Sequence, residues 1–171
     1  MNNKILVTYA SRAGSTAEIA AAIGKALNQN GVEVEVRDMK DVKDLSAYHA
    51  VVAGSAVRGG KWLPEAMAFL KDHQSELAQK PFAAFLVCIT MGHPNPQWRA
   101  GVKAWLAPVR TLTTPVSEGF FAGRLDFKLL PITLNTLMLR LAVALHILPA
   151  GDKRDWKAID AWAESVRPLL Q

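Results

Sequence analysis

The chain has 171 residues and a mass of 18.6 kDa, half of its residues are hydrophobic and its mean hydropathy is +0.10, which fits one domain of roughly 100 to 200 residues and excludes a disordered or collagen-like chain. The net charge of +5 is local: residues 1–95 carry +1 and residues 96–171 carry +4, all of that excess lying between Arg99 and Arg140. Such a local excess fits an anionic membrane surface or an acidic ligand about as well as phosphodiester, and with no basic stripe interleaved with aromatics and no RNA or DNA motif, nucleic acid is disfavoured. The single cysteine, Cys88, allows no internal disulfide and no cysteine-rich metal site. No basic and apolar leader precedes the first strand-like run, so the expected setting is the reducing cytoplasm.

In chain order, Lys4–Tyr9 is a short apolar, β-branched run typical of a strand buried on both faces. From Thr16 to Asn30, Ile19, Ala20, Ile23, Ala26 and Leu27 recur at helical spacing, and Gly31 follows where a left-handed cap would end the helix. Val32–Arg37 alternates strictly and reads as a strand with one wet face, at or near a sheet edge. Tyr48–Gly54 is a third, buried strand, and a helix is expected to start at Pro64 with Met67, Phe69 and Leu70 inward. Phe82–Thr90 reads as the strand at the sheet centre and Gln97–Leu112 as one helix, with Val102, Trp105, Leu106 and Val109 on one side. Val116–Ala122 is the fifth strand, and Asp155–Leu170 a closing helix on Trp156, Ile159, Trp162, Ala163 and Val166. This alternation predicts one α/β domain over residues 1–171, a five-stranded parallel sheet with helices on both faces. Ligands in such folds sit beyond the carboxyl ends of the strands, which singles out residues 10–15, 55–62 and 90–96.

The first of these loops is Ser11-Arg12-Ala13-Gly14-Ser15-Thr16. Free backbone amides, the positive end of a helix dipole and three hydroxyls would hold a phosphate dianion there, with Gly14 letting the chain turn closely around it. Ser15 and Glu18 also satisfy a capping box, which needs no ligand, and both readings can hold together. The absence of GxGxxG and of GxxxxGK[ST] disfavours a Rossmann dinucleotide site and a P-loop.

The opening VTYASRAGSTAEIA resembles flavodoxin-like domains, as do VVAGSAVRGGKW at the second loop and the strand ending VCIT. More narrowly, the Ser55–Gly59 loop, FFAGRLDF at Phe120–Phe127 followed by an apolar insert, and the tail GDKRDWKAIDAWAESV are similar to the menaquinone-dependent protoporphyrinogen IX dehydrogenases of bacterial haem synthesis. That resemblance implies a flavodoxin-like three-layer sandwich, flavin mononucleotide (FMN) as cofactor, a quinone and a tetrapyrrole as reaction partners, and oxidoreductase activity. Carried over residue by residue, Ser11, Arg12, Gly14, Ser15 and Thr16 would surround the phosphate. Ser55, Ala56, Val57, Arg58 and Gly59, with Thr90, Met91 and Gly92, would bracket the isoalloxazine ring. No catalytic side chain is assigned, because the flavin carries the electrons. Ala13 lacks a side-chain donor that carrier flavodoxins usually place there, and Gly60 stands where the dehydrogenase group has an aromatic. A non-catalytic electron carrier or flavin-binding module serving a partner is the competing reading; the basic charge departs from acidic carriers.

Other residues keep two readings each. Arg58 either tunes the flavin from its N1 and O2 edge or is a solvated surface arginine; Trp62 either stacks on the ring or, as favoured, anchors the helix at Pro64. His93 offers a proton near neutral pH or is a plain turn residue between Pro94 and Pro96, and Cys88 is a buried strand residue. The scattered histidines predict no metal. The apolar insert, residues 125–149 with Ile132–Leu148 at its core, is too short, too interrupted by Arg140 and too bounded by Pro131 and Pro149 to span a bilayer. On a helical wheel Thr133, Thr136 and Arg140 share a stripe and leave a broad face of Leu137, Leu141, Val143, Leu145 and Leu148. That face lies in a membrane interface as a peripheral contact, or closes the protein's own core, or joins a homo-oligomer.

Overall fold

The computed structural model describes residues 4–29, 31–129 and 132–171. Five strands, β1 (Lys4–Ala10), β2 (Glu33–Asp38), β3 (Ala50–Arg58), β5 (Phe82–Cys88) and β6 (Ser117–Ala122), form a parallel sheet in the order β2-β1-β3-β5-β6, with β4 (Lys61–Trp62) folded back antiparallel on β3. This is the expected α/β architecture. β2 is an edge strand, as expected, but the expected division into one wet and one buried face is not met: its residues are half-buried or exposed throughout, Val36 among the exposed ones. β5 is buried along its whole length, but the middle of the order is β3, with β5 one place away between β3 and β6. Both strands are covered on two faces, so hydrophobicity alone does not rank them.

Two apolar layers sandwich the sheet. On one face α1 (Ser15–Leu27) and α7 (Trp156–Val166) bury Ile19, Ile23, Ile159 and Val166 against Ile5, Val7 and Phe85. The other face carries α2 (Pro64–Asp72), the short α3 (Gln74–Leu77) and α5 (Ala107–Leu112), whose Leu70, Leu77 and Val109 pack with Leu6, Leu86 and Leu106. Gly54 is required by this packing, since a Cβ there would stand 2.0 Å from the Phe85 ring.

Several boundaries differ from the sequence expectation. α1 ends at Leu27 rather than Asn30, which itself lies outside the described residues. The single helix expected over residues 97–112 is three pieces, α4 (Pro96–Gly101), a 3-10 turn (Val102–Leu106) and α5, because Gly101 is a weak helix former and Pro108 is accommodated only in a fresh first turn. α7 stops at Val166 and continues as a 3-10 turn over Arg167–Leu169; Trp156, expected inward, is exposed beneath the Arg154 guanidinium, 4.6 Å from its ring centroid.

The insert leaves the sheet after β6 through a two-stranded ribbon, β7 (Arg124–Leu125) paired antiparallel with β8 (Gly151–Asp152). Between them lies α6 (Leu134–Ala144), started by Thr133, whose hydroxyl accepts the Thr136 amide at 3.2 Å. Leu130 and Pro131 of the insert lie outside the described residues. No helix among the described residues is long and apolar enough to cross a membrane.

Candidate functional site: a cavity at the carboxyl ends of the strands

The strand order reverses direction at β1 and β3, and the chain leaves their carboxyl ends through loops that meet over the sheet. There a cavity of about 830 Å³ opens, within the range of small-molecule and cofactor sites. Ser11, Arg12, Ser15, Thr16, Ala56, Val57, Arg58, Gly59 and Thr90 are on its wall, so most of the residues singled out in the sequence converge.

In the first loop Gly14 is the N-cap of α1, at φ +85°, and no side chain caps the helix. The capping box expected of Ser15 and Glu18 does not form. Glu18 instead receives Arg154, Nη1 to Oε2 at 2.5 Å, and Arg124, Nη2 to Oε1 at 3.4 Å. Ser11 Oγ accepts the Gly14 amide at 3.1 Å and so shapes the turn. Thr16 is fully buried and its Oγ1 has no hydrogen-bond partner. A buried hydroxyl without a partner costs about 1–3 kcal/mol, and this one, on the wall of a cavity, is free to serve a polar ligand. It fits a phosphate ester, which accepts hydrogen bonds and suits the positive end of α1.

Arg12 lies on the wall with its guanidinium forked on Glu65, Nη2 to Oε2 at 2.9 Å and Nη1 to Oε1. Desolvation, the largest single influence, pushes the Glu65 carboxyl up, but the Arg12 hydrogen bond, a backbone amide and the charges of Arg12 and Arg58 together outweigh it, so its pKa falls below the ordinary range.

The second loop differs from the expected open loop. β3 runs on through Ser55–Arg58, turns at Gly59 and Gly60, both with positive φ (+57° and +73°), and returns as β4, a tight hairpin of the kind glycine pairs permit. Ser55 is buried behind the wall: its Oγ donates to the Ala56 carbonyl at 2.7 Å and accepts the Leu63 amide at 3.0 Å. It braces the loop from inside. Trp62 is buried in the core cluster with Leu63 and Ala66 and is absent from the cavity wall, in keeping with the anchor reading.

The third segment, Ile89–Gly92, is a 3-10 turn ending β5 at Cys88 rather than Thr90. Thr90 faces the cavity, whereas Met91 packs on the core and Gly92 lies under the Lys153 side chain, where a Cβ would stand 2.7 Å from Lys153 Cβ. His93 is a turn residue, its Nδ1 accepting the Asn95 amide at 3.0 Å and its ring stacked on Trp98. Burial pushes the Cys88 thiol up to about 11, which leaves it protonated and inert at neutral pH.

Part of the wall lay outside the sequence reading. Trp105, assigned there to a helix core, faces the cavity with its indole over Gly60, 3.2 Å from where a Cβ on Gly60 would lie. The ring explains the glycine: a side chain at residue 60 would meet Trp105 and adopt a strained φ. Arg124 follows the carboxyl end of β6, a position the strand-end rule covers but the three chosen loops omitted. Thr133, Thr136, Leu139 and Leu148 bring the insert onto the same wall. Among the described residues no group of three or more His, Cys, Asp or Glu is placed to hold a metal.

A family model of the flavodoxin domain matches residues 6–146. The chain belongs to the flavodoxin family. FMN is therefore its cofactor, in agreement with the orphaned hydroxyl and the size of the cavity. Among curated proteins it is similar to the protoporphyrinogen IX dehydrogenase [quinone] of Escherichia coli strain K12, 27% identical over 94 residues, covering 54% of this chain and 52% of that protein. It is also similar to the protein of the same description from Leishmania major, 32% identical over 90 residues, 51% of this chain and 39% of that one. The matched stretches thus span about half or less of those relatives. Among solved structures, Bacillus cereus flavodoxin 2 (TM-score 0.57, 23% identity, 95% of this chain and 96% of that one) and the flavodoxin of Streptococcus pneumonia TIGR4 (0.60, 18%, 96% and 98%) share the fold.

Proposed function

We propose that this flavodoxin-family chain is an FMN-dependent oxidoreductase that dehydrogenates protoporphyrinogen IX and passes the electrons to a quinone. The observation that carries the reading is the shared cavity, whose wall runs from the hydroxyls of the first loop to the apolar insert helix α6. An electron carrier needs only an exposed ring edge. Here Leu139 and Leu148 add an apolar flank to the wall, of a chemistry suited to a flat, hydrophobic reactant.

In this reading the hydroxyls of Ser11, Ser15 and Thr16, with the amides at the start of α1 and the Gly14 turn, hold the phosphate, and Arg12 is fixed beside them by Glu65. Ala56, Val57, Arg58, Gly59 and Thr90 border the ring; Ser55, Met91 and Gly92 support those segments from behind. FMN, when bound, would supply the redox chemistry two electrons at a time, so that the six-electron oxidation of porphyrinogen to porphyrin would take three cycles and reduce three quinones to quinols. Arg58, exposed at the hairpin end, presents a cation to the ring edge. The distant dehydrogenase relatives support the substrate class.

α6 supports a site of action at a membrane. It is turned inside out: Thr136 is buried towards the cavity, while Leu134, Met138, Leu141 and Leu145 are 52–75% exposed. The expectation that this face closes the protein's own core is therefore not met. Residues 127–151 contain Lys128 and Arg140 and no acidic residue, so the uncovered face suits an anionic bilayer, where quinones reside, and the protein would act as a peripheral protein on the cytoplasmic side. Flotation with anionic liposomes tests this: wild type is expected to float and Leu141→Glu to remain unbound, and equal recovery of both in the unbound fraction refutes it.

The reaction is tested with the flavin-loaded chain, reduced tetrapyrrole and a menaquinone analogue. Quinone-dependent porphyrin formation supports it. A yellow protein without turnover favours the second reading, an electron carrier serving a partner, which draws on structural neighbours that are flavodoxins over nearly the whole chain.

A further inference from the structure

Three arginines stand on the cavity wall among the described residues, and they are not equivalent. Arg12 is committed to Glu65 by its fork. Arg58 belongs to the hairpin on the ring side. Arg124 lies at the other end. The residue before it, Gly123, abuts the first loop, since a Cβ there would stand 3.4 Å from Ser15 Oγ. Arg124 Nη2 is 3.4 Å from Glu18 Oε1, and that oxygen is 3.9 Å from where a Cβ on Gly14 would lie. These contacts place the guanidinium beside the Gly14–Glu18 turn.

Its hold on Glu18 is loose. At 3.4 Å the contact is longer than a normal hydrogen bond, and the other carboxylate oxygen already receives Arg154 at 2.5 Å. Arg154 is fully engaged: its Nε and Nη2 also donate to Asp152, at 2.8 and 2.6 Å, and its side chain is only 5% exposed. Glu18 is thus a carboxylate in the first turn of a helix whose N-terminus should receive an anion. A dianion placed next to it would be repelled unless a cation stood between them. The unpartnered, fully buried Thr16 hydroxyl marks the same end of the cavity independently.

We propose that Arg124 is the counter-charge of the phosphate site, held near by Glu18 and available to a phosphate ester at the first loop, and that it makes the site select a phosphorylated flavin over one lacking the phosphate. The proposal rests on the FMN reading. Its guanidinium presents several N–H donors, so it can keep Glu18 on one edge while another edge serves the ligand.

The test titrates the flavin-free full chain with FMN and with riboflavin, following flavin fluorescence, at low and at high salt. In Arg124→Gln the FMN dissociation constant is expected to rise about tenfold to a hundredfold, the span of one charge-assisted hydrogen bond, with riboflavin binding unchanged and the salt dependence of FMN binding reduced. Arg124→Lys is expected to recover part of the loss. Equal weakening of both flavins assigns Arg124 a structural role and overturns the proposal, as does an unchanged FMN affinity. Should the glutamine variant fail to fold, the lysine variant and the wild-type salt dependence decide, and a wild-type FMN affinity insensitive to salt overturns it. A wild type that binds neither flavin overturns the FMN reading and this proposal with it; a wild type that binds FMN, with variants that bind it equally well, overturns this proposal only.

Discussion

Thr16→Val should move stability and cofactor affinity in opposite directions. The Thr16 hydroxyl is buried with no partner in the protein, and such a group costs about 1–3 kcal/mol when nothing else serves it. Valine keeps the shape and replaces the hydroxyl by a methyl, so the flavin-free protein should gain about 1–2 kcal/mol, a rise in melting temperature of roughly 2–4 °C per kcal/mol for a chain of this size. The same change removes a donor to the phosphate, and FMN affinity should fall about tenfold to a hundredfold. Thr8 supplies the control: it is also fully buried with an unpartnered hydroxyl, but it sits within β1 and is absent from the cavity wall. Thr8→Val should share the stabilisation and leave FMN binding as it is. Urea unfolding of the flavin-free proteins gives the first quantity and fluorescence titration the second. Reasoning from the orphaned hydroxyl fails if Thr16→Val destabilises the flavin-free chain, or if both variants bind FMN like the wild type.

Ser55→Ala removes the acceptor of the buried Leu63 amide, so stability should drop by about 1–3 kcal/mol; an unchanged urea midpoint would show that the brace is redundant. Arg58→Gln should lower the flavin midpoint potential, because a cation at the ring edge favours the reduced, anionic form, and a redox titration showing no downward shift removes the tuning role. Asp152, ordinarily near 3.8, is held at about 2, chiefly by its hydrogen bonds from Arg154. A depressed carboxylate contributes stability that is present above its unfolded pKa and lost as the pH falls through its folded one. Wild type should therefore lose stability more steeply than Asp152→Asn between pH about 4 and about 2. At neutral pH the pair is partly exposed and should be worth at most about 1 kcal/mol. Parallel stability curves for the two proteins over that range would contradict the linkage.

The sheet was legible because its strands are buried by hydrophobic runs that no helix period matches. Lys4–Ala10 and Phe82–Cys88 stand out in the sequence for that reason, and the edge position of β2 shows in the charges of Val32–Arg37. The first loop was legible through its hydroxyls and Gly14. What the sequence concealed was set by contacts between distant residues. Ser15 and Glu18 have the spacing of a capping box, yet Glu18 is drawn to Arg154, 136 positions away, because a charged pair there outcompetes a local amide. Trp105 has a helical period like its neighbours Val102 and Leu106, and only the glycine hairpin end opposite it shows that its ring faces the cavity.

The insert carries this reasoning furthest. A helical wheel divides α6 into a polar stripe and an apolar face, and burial normally orients such a helix with the apolar face inward. In this chain the ribbon β7–β8 fixes both ends of the insert beside the first loop, and Arg154 staples that ribbon to α1 through Asp152 and Glu18. The anchor thus decides which side of α6 meets the cavity, and it selects the side bearing Thr136. The apolar face is then left outward, with Leu134, Met138, Leu141 and Leu145 exposed, and an uncovered apolar face of this kind is the type of surface that a partner or a bilayer covers. The ion pairs at Glu18 thus hold the first loop and the insert in one geometry, so that α6 and the hydroxyls of Ser11, Ser15 and Thr16 share the wall of a single cavity.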